Sequence, residues 1–137
     1  MKTTINWKTA TDAEKNACFG KQVCGYMAYT TTGGEAVADF PTGVEDSGVC
    51  EVQTEGLPDY LYNATAVLPW LEKYTADNND ELQIDVMREV MDGKRQWTVG
   101  LYSTDPKRSK VTHGTALTFP EAAMIALLRA KGIEVLT

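Results

Sequence analysis

Thr118-Phe-Pro-Glu-Ala-Ala-Met-Ile-Ala-Leu-Leu-Arg-Ala-Lys-Gly132 carries the marks of a helix built to be surrounded. Thr118 and Glu121 stand at capping-box spacing, so the hydroxyl can accept a first-turn N–H while the carboxylate reaches back. Pro120 falls in the first turn, where its missing N–H matters least. Arg129 and Lys131 suit the negative end of the helix dipole, and Gly132 supplies a left-handed stop. Ala122, Ile125, Ala126 and Arg129 share one side, and Met124, Leu127 and Leu128 widen the apolar surface. Such a helix must lie against a sheet or another helix, which makes it the structural centre of the domain.

Working back from that helix, the residues before it read as strands. Leu82, Ile84 and Val86 alternate with Gln83, Asp85 and Met87, and Asp92-Gly93 is a hairpin dipeptide. Trp97, Val99 and Leu101 then alternate with Gln96, Thr98, Gly100 and Tyr102. Val111 to Leu117 is a third strand that runs into the last helix. Ahead of this meander, Asn63 has the chemistry of an N-cap. Ala64, Val67, Leu68, Leu71 and Tyr74 follow at helical spacing, with Trp70 and Tyr74 as an i, i+4 aromatic pair. Pro69 is discordant there, since it deletes one helical hydrogen bond.

The N-terminal part is less regular. Thr11-Asp-Ala-Glu14 is a second capping box and opens a helix from about Asp12 to Cys24, with Ala13, Ala17, Cys18 and Lys21 as a thin face weakened by Gly20. Tyr26 to Thr31 and Glu35 to Phe40 read as a hairpin turning at Thr32-Gly33-Gly34. Residues 41–58 hold two prolines and three glycines and read as loop, with a short extended piece around Val49 to Val52. Ile133 to Leu136 is an extended tail. The expected fold class is therefore α+β: an antiparallel sheet, a three-strand meander plus an N-terminal hairpin, covered by helices, in a single domain over residues 1–137.

Composition limits the function classes. The 137 residues include 43% hydrophobic and 23% charged residues, enough for an ordinary core. No run of about 18 apolar residues is present and the first eight residues are polar, which predicts a cytoplasmic protein. The net charge of −6 disfavours direct nucleic-acid binding. That charge is uneven: residues 1–60 hold four lysines and nine acids, whereas residues 61–137 hold nine bases and ten acids. Between Glu35 and Asp59 there are seven acids and no Lys or Arg. The plain reading is a solvated loop face; the sharper one is a docking surface for a basic partner.

Chemistry-bearing residues are sparse. Cys18, Cys24, Cys50 and His113 would make a Cys₃His set, but Cys18 and Cys24 are too far apart for a zinc knuckle and point to different helix faces. Reduced, idle thiols are expected, with no metal and no cofactor. His113, the only histidine, has no nucleophile elbow to serve, and no phosphate loop is present, so no catalytic residues are assigned.

A family resemblance covers the second half. Leu57-Pro-Asp-Tyr-Leu-Tyr-Asn-Ala-Thr-Ala-Val-Leu-Pro-Trp-Leu-Glu-Lys73 resembles the lead-in and alanine-rich helix of the phage ABA sandwich domain family. Trp97-Thr-Val99 and the strand-to-helix join Thr115-Ala-Leu-Thr-Phe-Pro-Glu-Ala-Ala123 follow in the same order. The resemblance spans residues 57–136; the opening helix ending in Lys21-Gln-Val-Cys-Gly25 faintly resembles the N-terminal helix of longer members, and the acidic 35–59 region is unmatched. It implies an α/β/α three-layer sandwich and a bacteriophage or prophage accessory protein acting in the host cytoplasm, with no catalytic motif to carry over.

Two binding readings follow. In the first, a non-catalytic anti-defence factor docks a basic surface of a host protein. Asp39, Glu45, Asp46, Glu51, Glu55 and Asp59 supply attraction, and Phe40 and Val49 supply apolar anchors. In the second, Arg88, Arg95 and Arg108 hold the phosphates of a small ligand or nucleotide while Trp97 or Tyr102 stacks on its base. Self-association through the sheet, giving a homo-oligomer, is a third and plainer possibility.

Overall fold

The computed structural model describes residues 3–44, 48, 50–78, 82–103 and 112–137. In chain order the elements are β1 (Thr4–Asn6), α1 (Asp12–Gln22), β2 (Met27–Thr30), β3 (Ala36–Val44), β4 (Cys50–Gly56), α2 (Ala64–Asp77), β5 (Leu82–Met91), β6 (Lys94–Ser103), β7 (Thr112–Ala116), α3 (Phe119–Ala130) and β8 (Glu134–Leu136).

The last helix is the centre of the core. Thr118 caps α3 by accepting the N–H of Glu121 at 3.3 Å, and its hydroxyl donates to the carbonyl of Leu61 at 2.9 Å. One cap thus fixes both the helix start and the chain leading to α2. Ala122 through Leu128 are all buried, so the helix is covered nearly all round. Burying a side chain such as Ile125, Leu127 or Leu128 contributes about 1.5–3 kcal/mol. β6 and β7 cover one side and α2 packs on another.

The meander β5–β6–β7 is antiparallel, with Val86 opposite Val99 and Val99 opposite Gly114. Its hairpin turns at Asp92 and Gly93, both with positive φ, 52° and 76°, as a two-residue turn matched to strand twist requires. Val99 and Leu101 are buried on the α3 side, and Gly114 lets the helix backbone approach β7.

The strands do not form one sheet. β2–β3–β4 is a second antiparallel sheet, and β1 pairs with β8 in a third, parallel ladder that places Ile5 beside Val135. The expected hairpin and meander are both present, but in separate sheets.

Two further expectations are corrected. The segment read as loop after Phe40 is strand: β3 continues to Val44 and β4 pairs with it. Pro41 is tolerated because β2 pairs with β3 only as far as Asp39, leaving the edge at Pro41 free, and a register shift follows at Gly43. The buried face of α1 is Asn16, Ala17, Phe19 and Gly20; of the expected face only Ala17 is fully buried, Ala13 and Cys18 are partly buried and Lys21 is exposed. Gly20 is there for close approach, since a Cβ would stand 3.0 Å from Leu57 Cδ1 and 3.3 Å from Ala28 Cβ. Pro69 lies inside α2 without ending it.

Candidate functional site

An aromatic cleft of about 340 Å³ opens between the β2–β3–β4 sheet and α2. Its wall on the sheet side begins at Tyr26. The chain leaves α1 through Gly25, at φ 75°, and the Tyr26 N–H returns to the carbonyl of Gly20 at 3.0 Å, which sets the ring beside the sheet. Phe40 and Glu55 come from β3 and β4. Ala28 pairs with Ala38 and Ala38 with Glu55, so Phe40 and Glu55 lie on the face that meets α1. Helix α2 supplies Thr65, Ala66, Pro69 and Trp70, a set one helical turn apart on one side.

The rings stand as walls. Phe40 meets Tyr26 with centroids 5.2 Å apart at 70°, and Trp70 meets Tyr26 at 5.9 Å and 84°. All three are only partly buried, so each keeps ring surface toward the cleft. Tyr60 forms part of the lining from below. Its ring packs on Phe19 at 4.7 Å, and its backbone N–H donates to Asn16 Oδ1 at 3.1 Å. The amide of Asn16, itself buried, donates to Asp59 at 3.1 Å and so ties α1 to the chain entering α2.

The ionisable groups around the floor stay neutral. Burial pushes the Cys24 thiol up to about 12, and its Sγ donates to the Tyr60 hydroxyl at 3.7 Å. Burial, then the neighbouring thiol, raises Tyr60; burial also raises Tyr26 and Cys18. A thiol held protonated is a poor nucleophile. Glu55 is exposed at the rim, with no hydrogen bond or ion pair among the described residues. Trp70 also borders a smaller pocket of about 60 Å³ on its far side, with Tyr74, Lys73 and Lys131.

No family model, curated protein or solved structure matches the chain.

The acidic residues proposed from sequence are only partly brought together. Phe40 and Glu55 share the cleft, and Glu51 lies on the same side of β4 as Glu55 by alternation. Asp39 points to the opposite face, where it accepts from Tyr29 Oη at 3.0 Å and Thr54 Oγ1 at 2.6 Å. Asp59 is engaged by Asn16. Glu45, Asp46 and Val49 lie outside the described residues.

The ligand set on the meander divides between two faces. Arg88 stands opposite Trp97 and already stacks on it, with its guanidinium carbon 5.3 Å from the ring centroid. Arg95 is on the same side, opposite Val90. Tyr102 is on the other face, against His113 at 5.9 Å. Arg108 lies outside the described residues. Trp97 and Tyr102 therefore do not belong to one pocket. Among the described residues no three His, Cys, Asp or Glu side chains are placed to hold a metal, and no helix is long and apolar enough to cross a membrane.

Tyr26, Thr65, Pro69 and Trp70 were not assigned to a site by sequence reasoning. The signal for two of them was present: a proline and an adjacent tryptophan interrupting an otherwise regular helical face.

Proposed function

We propose that this is a non-catalytic binding protein that docks a basic partner protein on its acidic side, with the aromatic cleft as anchor. The cleft carries the reading. It leaves three rings partly exposed within residues 22–72, a stretch of 51 residues with eight acids and no Lys, Arg or His. Binding energy concentrates where aromatic groups fill pockets, and surrounding charge steers the encounter and selects the partner. Phenols kept neutral by burial in the lining, and a lone carboxylate at the rim, favour binding over catalysis.

Kinship with the phage ABA sandwich domain, and with it an α/β/α layering, belongs to the same proposal. Its support is the order of the matched segments in α2, on β6 and at the β7-to-α3 join. In that setting the partner is a basic host-defence protein in the host cytoplasm.

The test is capture from bacterial lysate by the tagged protein and by Glu51→Lys/Glu55→Lys, at low and at ~0.5 M salt. The expected outcome is one partner, retained at low salt, weakened at high salt and lost in the charge-reversed protein. Equal capture by both proteins would remove the acidic face from the interface and with it this reading.

A further inference from the structure

The cleft also specifies what enters it. Resting on the docking reading above, we infer that it receives one arginine side chain of the partner, stacked among Tyr26, Phe40 and Trp70 and hydrogen-bonded to Glu55 and the backbone of Thr65.

Tryptophan usage in the molecule is the first argument. Trp7 holds Lys15 with its Nζ 5.0 Å from the ring centroid, and Trp97 holds Arg88 at 5.3 Å. Both are within the ~6 Å reach of a cation–π contact. No cation stands over Trp70 among the described residues, and Lys131 is placed over Tyr74 instead, at 5.8 Å. Among the described residues the cluster of Tyr26, Phe40 and Trp70 has no cation over its rings, and it lies in the stretch of sequence that contains none.

The second argument is the balance of donors and acceptors. Glu55 offers a carboxylate with no partner among the described residues. In α2 the carbonyl of Thr65 would receive the N–H four residues on, but that residue is Pro69, which has none. Both residues line the cleft, so the helical hydrogen bond that Pro69 removes is missing in the wall of the cleft. Aromatic surface with a carboxylate and a carbonyl, and no cation, complements a flat, donor-rich cation. Guanidinium fits better than ammonium because it stacks on rings and presents several donors in one plane. At about 340 Å³ the cleft is near the small end of ligand pockets, which run from ~300 to ~1,000 Å³. That is room for a side chain and its flanking backbone, not for a dinucleotide.

The test uses the full-length ¹⁵N-labelled protein and three blocked pentapeptides: Gly-Arg-Gly-Arg-Gly, its lysine counterpart and its citrulline counterpart. The Trp70 indole N–H and the backbone amides of Gly56 and Ala66 report binding. The arginine peptide should move all three saturably, the lysine peptide should bind about ten-fold more weakly and the citrulline peptide should not bind, as expected from losing hydrogen bonds to a charged group. Glu55→Gln, an exposed change, should weaken the arginine peptide about ten-fold. Pro69→Ala gives the Thr65 carbonyl its helical donor, so it should raise the melting temperature while weakening the peptide, a combination that loss of fold cannot produce.

Equal binding of the citrulline peptide, or wild-type affinity in both variants, would overturn the arginine assignment. A cleft inert to all three peptides, beside a lysate partner that is lost on charge reversal, overturns this inference and leaves the docking reading standing. Peptide binding as expected supports the inference even if no lysate partner is captured.

Discussion

Cys24 lies just beyond α1 with its thiol 3.7 Å from the hydroxyl of Tyr60, and burial holds it protonated to about pH 12 against an ordinary 9.0. The sign of the pH effect follows. The folded state keeps a proton that the unfolded chain begins to release near pH 9, so this contribution to stability is complete below that pH and is lost as pH rises toward 12. Thermal melts from pH 7 to 11 should show the midpoint falling above pH 9. Cys24→Ala should flatten that decline without abolishing it, because Tyr60 is also raised and continues it at higher pH. A Cys24→Ala protein whose midpoint falls in parallel with the parent would show that the thiol is not the group responsible. The cysteine and the tyrosine were both visible in the sequence, but 36 residues separate them, and nothing local pairs them.

Between elements, the tightest fit is that of β7 against α3. A Cβ on Gly114 would run into the carbonyl of Ala122 and come within 2.6 Å of the backbone N of Ala126 and 2.9 Å of Ile125 Cβ. Two of these obstacles are helix backbone and cannot swing aside, so strand and helix would have to separate and loosen the packing around Val99 and Leu101. Gly114→Ala should therefore lose about 3 kcal/mol or more in urea denaturation, at the upper end for overpacking. A loss below about 1 kcal/mol would mean that the helix shifts freely on the sheet. The strand and the helix were legible separately, β7 within the stretch from Val111 to Leu117 and α3 from its cap and apolar run. The role of Gly114 was not, because a strand glycine reads as a weak point until the element across from it is known. Gly20 in α1 is the same case, read as a helix weakness and found to be a contact with Leu57 and Ala28.

At the scale of the whole molecule, Arg129 links the last helix to two sheets. Its guanidinium donates to the carbonyl of His113 on β7 at 2.9 Å and to that of Val135 on β8 at 2.8 Å, with Thr137 Oγ1 at 3.4 Å. β8 in turn holds β1, and the Trp7 N–H donates to the Leu136 carbonyl at 2.8 Å, so the two ends of the described chain meet beside α3. Arg129→Met keeps the aliphatic stem and removes the donors. It should lower stability by about 2 kcal/mol, the usual scale for hydrogen bonds from a charged group. Hydrogen exchange should speed up at Ile5 and Leu136, with no change at the amides of Gly56 and Ala66 on the cleft. Uniform acceleration everywhere would mean that Arg129 supports the core as a whole and not this junction.

The sequence by itself determined the parts whose physics is local. Thr11 with Glu14 and Thr118 with Glu121 cap their helices as their spacing required, and the Asp92-Gly93 turn and the alternation from 82 to 103 fixed the hairpin. Each depends on residues within a few positions of one another, where dihedral preference and side-chain period act directly. Only the tertiary structure decided that Pro41 belongs to a strand, that β1 and β8 pair in parallel, and that Tyr26, Phe40, Glu55 and Trp70 share one cleft. These features join residues far apart in the chain. Their free energy comes from partners that must first be brought together against chain entropy, and no local preference of either partner records the meeting.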